Sequence, residues 1–233
     1  MVVWTNTGDD KRALRPTYNW DFADAGGEAA SDSKGVVLAS ANPRAAILRN
    51  DPLSSYFGVP LTGSTIGYVI DCDATMAPYI DKLAVVTNSV NSFPPQGSVK
   101  FGIVQAIDDP DGSELYVVYE PGTDLAGAKT VLHTRLASGQ TDLPRAFGVT
   151  EGWYSDELFL VLAKPVSETE VDRLTQLAQQ SGAVTHVIAF GSAAGQQGLS
   201  RIAESTSGQF VPVSDELLDA LVAKYDALAD QPE

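Results

Sequence analysis

The chain has 233 residues, 44% of them hydrophobic, so it can bury a substantial core and reads as one body with an extended N-terminal section. Its 30 acidic residues against 15 basic ones give a formal charge of -15. Such a surface repels nucleic acid and anionic membrane and suits basic or metal-bridged partners. No apolar run of about 18 residues is present, and the N-terminus does not have the layout of a signal peptide. The single cysteine, Cys72, excludes an internal disulfide and any cysteine-cluster metal site.

Residues 1–54 read as an arm or loop-rich flank. Val2 to Trp4 and Gly35 to Ser40 are short strand candidates, separated by a stretch rich in glycine, alanine and serine whose acids (Asp21, Asp24, Glu28, Asp32) are too sparse for a calcium loop. From Ser55 to about residue 230 the pattern is regular. Ile66 to Asp71 is a run of β-formers that ends on a carboxylate, turns through Asp73 and Thr75, and opens at Pro78 into a helix. Ile80, Leu83, Ala84 and Val90 keep its apolar stripe until Phe93 to Pro95 ends it. In an open α/β sheet the carboxyl end of such a strand is where ligands sit.

Val99 to Ile107 and Leu115 to Tyr119 form a hairpin signal around Asp108 to Gly112, which departs from the calcium-loop pattern because Ile107 falls at the first ligand position. A helix is expected from Asp124 to Ala137, then Gly139 to Asp142, then a short helical or irregular piece to Trp153. Glu157 to Ala163 is nearly all apolar, as a mid-sheet strand covered on both faces should be. Ser167 and Glu170 form a capping box for a helix whose Val171, Leu174, Leu177 and Ala178 share a face. Val184 to Phe190 is a further buried strand; a short helix over Gly198 to Thr206 is stopped by Gly208, and Gln209 to Val213 is the last strand. The C-terminal helix carries Leu217, Leu218, Leu221, Val222, Tyr225 and Leu228. This alternation gives a doubly wound, mostly parallel central sheet with helices on both faces and one antiparallel edge strand.

The order of elements, together with Tyr56-Phe57-Gly58-Val59, Gly139 to Leu143, Thr185 to Gly191, Leu199 to Ala203 and Gly208 to Val213, resembles a von Willebrand factor type A (VWA) domain, above all bacterial members. The resemblance spans Ser55 to Leu228. It implies a protein-binding module or scaffold, often part of a longer chain, either cytoplasmic or in the cell envelope. It also implies a metal-ion-dependent adhesion site, in which an Asp-x-Ser-x-Ser loop, a second-loop Thr and a third-loop Asp hold Mg²⁺ for a partner's carboxylate. Asp71 and Thr141 match that pattern and Thr75 keeps a hydroxyl. Asp73 stands for the first Ser, and Ala163-Lys164 stand where Thr-Asp is expected. The site is therefore degenerate.

Asp71, Asp73 and Lys164 leave one net negative charge without a metal. A lysine amine about 4.5 Å from a divalent ion is repelled by on the order of 7 kcal/mol at an effective dielectric of about 20. The expectation is that Lys164 replaces the cation, with no cofactor. The alternative swings Lys164 into solvent and lets Asp71, Asp73, Thr75 and Thr141 hold Mg²⁺ for metal-dependent adhesion.

Asp71-Cys72-Asp73-Ala74-Thr75 also resembles the nucleophile loop of haloacid-dehalogenase-like Mg²⁺-dependent phosphatases, with Asp71 as nucleophile and Asp73 as acid and base. Leu83 to Asn88 is similar to the second motif of that family, and Lys164 to its phosphate clamp. The interval between Asp73 and Asn88 is too short for a loop, a helix and a return strand, since a crossover alone takes about a dozen residues or more, and Ile188 to Gly195 contains none of the acidic metal ligands expected there. His133 in a helix and His186 in a buried strand read as surface or core residues, and Cys72 between two carboxylates is a poor thiolate. The chain therefore reads as a non-enzymatic module that binds another protein through Asp71 to Thr75, Gly139 to Asp142 and Ala163 to Val166, with Asp108 to Asp111 as a further surface.

Overall fold

A computed structural model describes residues 55–92, 99–108, 114–124 and 139–229. The N-terminal arm, the Phe93 to Pro95 terminator, Asp109 to Gly112, and the helix expected from Asp124 with its His133 lie outside those residues.

The described chain opens with a two-residue hairpin, β1 (Ser55–Tyr56) against β2 (Val59–Pro60). Phe57 and Gly58 make its turn with φ of 49° and 79°, the left-handed conformation that tight hairpins require. A non-glycine residue held there needs compensation. Burial supplies it: Phe57 packs edge-on to Phe190, and Tyr56 packs edge-on to Tyr68 and Phe159, its hydroxyl 2.9 Å from Thr87 Oγ1. The aromatic phrase read from the sequence is thus a plug for the core.

Six strands follow in one sheet: β3 (Thr65–Asp71), β4 (Lys100–Asp108), β5 (Glu114–Gly122), β6 (Glu157–Leu162), β7 (Val184–Phe190) and β8 (Phe210–Val213), in spatial order β5-β4-β3-β6-β7-β8. All neighbours are parallel except β4 and β5. The mostly parallel sheet with one antiparallel edge is as the alternation of patterns predicts.

Side chains of alternate positions divide the core. Ile66, Tyr68 and Ile70 of β3 join Phe159, Phe190, α1 (Ile80–Ser92) and α5 (Asp215–Ala229) on one face. Val69, Leu158 and Leu160 join α2 (Leu143–Gly148), α3 (Glu168–Ser181) and α4 (Gly198–Glu204) on the other. Gly67 and Gly102 are register partners beneath the Trp153 ring, and a Cβ on Gly102 would come within 2.6 Å of it. Trp153 is therefore a packing residue.

Several boundaries differ from the sequence reading. Pro78 does not open α1, because a 3₁₀ turn over Ala74–Met76, capped by Asp73, comes first and the helix begins at Ile80. Leu83 to Asn88 lies within α1, with Leu83 and Thr87 buried, and so is not a strand and its following loop. The capping box at Ser167 and Glu170 forms as read, and Gly182 closes α3 in the left-handed conformation. No helix among the described residues is long and apolar enough to cross a membrane.

Candidate functional site

The site begins with strand order. β3 is flanked by β4, reached through α1, and by β6, reached after the chain has returned past β5. Loops leaving β3 and β6 therefore part above the sheet, which is where a doubly wound fold opens a crevice. Asp71 ends β3 there, Lys164 follows β6, and Thr141 enters just before α2.

Asp71 is fully buried and Asp73 nearly so. The Thr141 hydroxyl donates to Asp71 Oδ1, which also accepts from the Asp73 main-chain N–H at 3.3 Å. Thr75, itself exposed, bonds back to Asp73: its N–H donates to Asp73 Oδ1 at 2.8 Å and its hydroxyl donates to the same oxygen. Lys164 then crosses the crevice. Its Nζ donates to Thr141 O at 3.0 Å and Thr141 Oγ1 at 2.9 Å, and stands 3.5 Å from Asp73 Oδ2 and 3.8 Å from Asp71 Oδ2. Asp71, Asp73, Thr141 and Lys164 meet at one point, and Thr75 joins them through Asp73 alone.

The electrostatics follow from burial. Removal from water pushes the Asp71 carboxyl up from 3.8 to about 6, against the Lys164 charge and the Thr141 hydroxyl, which hold it lower, while Asp73 adds to the rise. Among the described residues Asp71 Oδ2 accepts no hydrogen bond, and the Lys164 ammonium stands 3.8 Å from it as counter-charge. Nearby, Glu170 lies below its ordinary value: burial opposes this, but bonds from Ser167 and the Lys164 charge outweigh it. Arranged this way, the group is a polar plug, one ammonium set against two carboxylates, that ties three loops together.

A hollow of about 380 Å³ adjoins it, between the Thr141 loop and the first turn of α3, with Asp142, Glu170 and Arg173 on its lining. Of the remaining expected surface, the backbone of Asp108 ends β4, and Asp109 to Asp111 lie outside the described residues. His186 is a core residue, accepting the Gln209 N–H at Nδ1 over 3.1 Å and stacking on Phe159. Cys72 is buried in the core beside α1. Sequence reading does not reach Tyr79, Gly191 and Asp215, which line a second hollow at this edge. Its one local signal is a glycine directly after an apolar strand.

No family model matches the chain, and no curated protein matches it. Among solved structures, the SpRpn10 VWA domain is similar with a TM-score of 0.52 at 12% identity, over 70% of this chain and 95% of that one. The human COPII-coat protein Sec24c aligns with a TM-score of 0.43 at 10% identity, over 71% of this chain and 32% of that chain. Six strands ordered β5-β4-β3-β6-β7-β8 with helices on both faces, superposed on nearly the whole of the SpRpn10 domain, give this chain a von Willebrand factor type A fold.

Proposed function

We propose that this chain is a non-catalytic protein-binding or assembly module that docks its partner on the carboxyl edge of the sheet without a divalent ion. The observation that carries the reading is the position of Lys164 Nζ, within 4 Å of both aspartates and bonded to Thr141. It supplies the positive charge that a metal would supply in a related site.

The residues present do not fit a divalent ion. The third loop offers Ala163 and Lys164 in place of a carboxylate, Asp73 Oδ1 is committed to Thr75, and an ammonium at this distance repels a divalent cation by several kcal/mol at an effective dielectric of about 20. Mg²⁺, which sheds its water reluctantly, has little to offset that with. For Asp71, Asp73, Thr75 and Thr141 to hold Mg²⁺, Lys164 has to leave both Thr141 bonds. The phosphatase reading loses its second motif, since Thr87 and Asn88 sit inside α1, away from the strand ends where such chemistry is placed.

Titration calorimetry with Mg²⁺, Mn²⁺ and Ca²⁺ tests the proposal. The expected result is no binding by the wild type, and measurable binding only once Lys164 is replaced by Asp. Tight binding by the wild type would overturn it. Hydrolysis of p-nitrophenyl phosphate that needs Mg²⁺ and is abolished by Asp71→Asn would overturn the non-catalytic part.

A further inference from the structure

Over the ends of β7 and β8 lies the second hollow, about 440 Å³, lined by Tyr79, Gly191, Ala194, Pro212 and Val213 and by the start of α5. Two carboxylates, Asp215 and Glu216, stand on it, both exposed; among the described residues no lysine or arginine lines it, and the nearby Lys82 is paired with Asp219. The hollow beside Thr141 differs in this respect, because Arg173 belongs to its lining.

The aromatic wall is held in place from three sides. Tyr79 stacks on Phe190 with ring centroids 5.1 Å apart, and burial and the Asp215 carboxylate hold its phenol above the ordinary value while Lys82 opposes them. Gly191, at φ 50°, leaves room for it, since a Cβ there would lie 3.0 Å from the Tyr79 hydroxyl. The hollow is also joined to the Lys164 centre: the Ala163 carbonyl accepts from Ala193 N and from Ser192 Oγ, each at 3.2 Å. A side chain docked at this wall therefore abuts the loop that carries Lys164.

A tyrosine ring stacked by one face on Phe190, an apolar lining and two carboxylates together select a cation on an apolar stem. Arginine meets the description better than lysine, because its planar guanidinium can stack on a ring while forking to carboxylates. Asp215 and Glu216 also complement the α5 dipole, which offsets the partial positive charge that would otherwise disfavour a cation at a helix start. The net charge of -15 attracts a basic segment from further away.

We propose that this hollow receives a basic side chain, arginine by preference, from the protein that docks on the edge; this rests on the protein-binding reading above. The partner's key residue then has the opposite sign to the carboxylate that a metal-bearing adhesion site takes.

The test is an NMR titration of the ¹⁵N-labelled full chain with N-acetyl-arginine amide and, in parallel, N-acetyl-glutamate amide. Saturable shifts at the Gly191, Ala194 and Val213 amides are expected with the arginine probe alone. Replacing Asp215 by Asn together with Glu216 by Gln should weaken that binding by about fivefold or more, as loss of charge-assisted bonds does. The control Glu151→Gln, at an exposed carboxylate that lines neither hollow, should change it by less than about twofold. No saturable shift at the three amides, an equal response to the glutamate probe, or an equal loss in the control would overturn the proposal. Mg²⁺ added to the same wild-type sample reports separately: shifts at Thr141 count against the metal-free reading and leave the arginine result standing.

Discussion

Lys164 donates through Nζ to the main-chain carbonyl of Thr141 at 3.0 Å, across 23 positions of sequence. The loop after β6 is thereby held to the loop before α2 from within the crevice, and the same amine faces the two aspartates of the loop after β3. One side chain closes what would otherwise be three separate loops around buried negative charge.

Removing that amine should be costly. Lys164→Met keeps the stem but loses both bonds to Thr141 and leaves Asp71 and Asp73 facing each other. A stability loss on the order of 3 kcal/mol is expected at pH 7, as for other broken buried pairs. Urea unfolding measures it, and a loss below about 0.5 kcal/mol, the worth of an exposed pair, would place the amine in solvent.

Asp71 gives an acid-range signature of unusual sign. Its folded value, about 6, lies above the ordinary 3.8, so the folded state holds a proton that the unfolded chain has already released. Its stabilising contribution is therefore complete below about pH 4 and is lost as pH rises to about 6, on the order of 2 to 3 kcal/mol in all. Urea midpoints between pH 4 and 7 should fall more steeply for the wild type than for Asp71→Asn. Thr141→Val removes a hydrogen bond that holds the value down, so it should move the loss to higher pH, and a carboxyl-carbon NMR titration that stays put would contradict this.

Gly208 is fixed by space. Its N–H donates to Ala203 O at 2.8 Å behind α4, and a Cβ would fall 1.8 Å from the Thr185 carbonyl oxygen. No flexible side chain can yield there, so Gly208→Ala should cost on the order of 3 kcal/mol by forcing β7 or α4 to shift. A midpoint within about 0.5 kcal/mol of wild type, the range of neutral surface changes, would mean the backbone gives more easily than the geometry allows.

What the sequence determined by itself is the succession of elements. Buried strands such as Glu157–Leu162 and Val184–Phe190 are legible because covering both faces forces continuous apolar runs, and the α3 start is legible because Ser167 and Glu170 satisfy each other three residues apart. The edge after β3 was legible too, as a carboxylate closing a run of β-formers. Only the tertiary structure decided that Leu83 to Asn88 is helix, since a short apolar stretch fits either period until it packs, and that Pro78 waits behind a turn capped by Asp73. It alone brought Thr141 onto Asp71 from 70 positions away, set Lys164 between them, and raised Tyr79 against Asp215. Backbone preference acts over a few neighbouring residues, whereas burial and charge act through space, so the fold could be read along the chain and the electrostatics of its crevice could not.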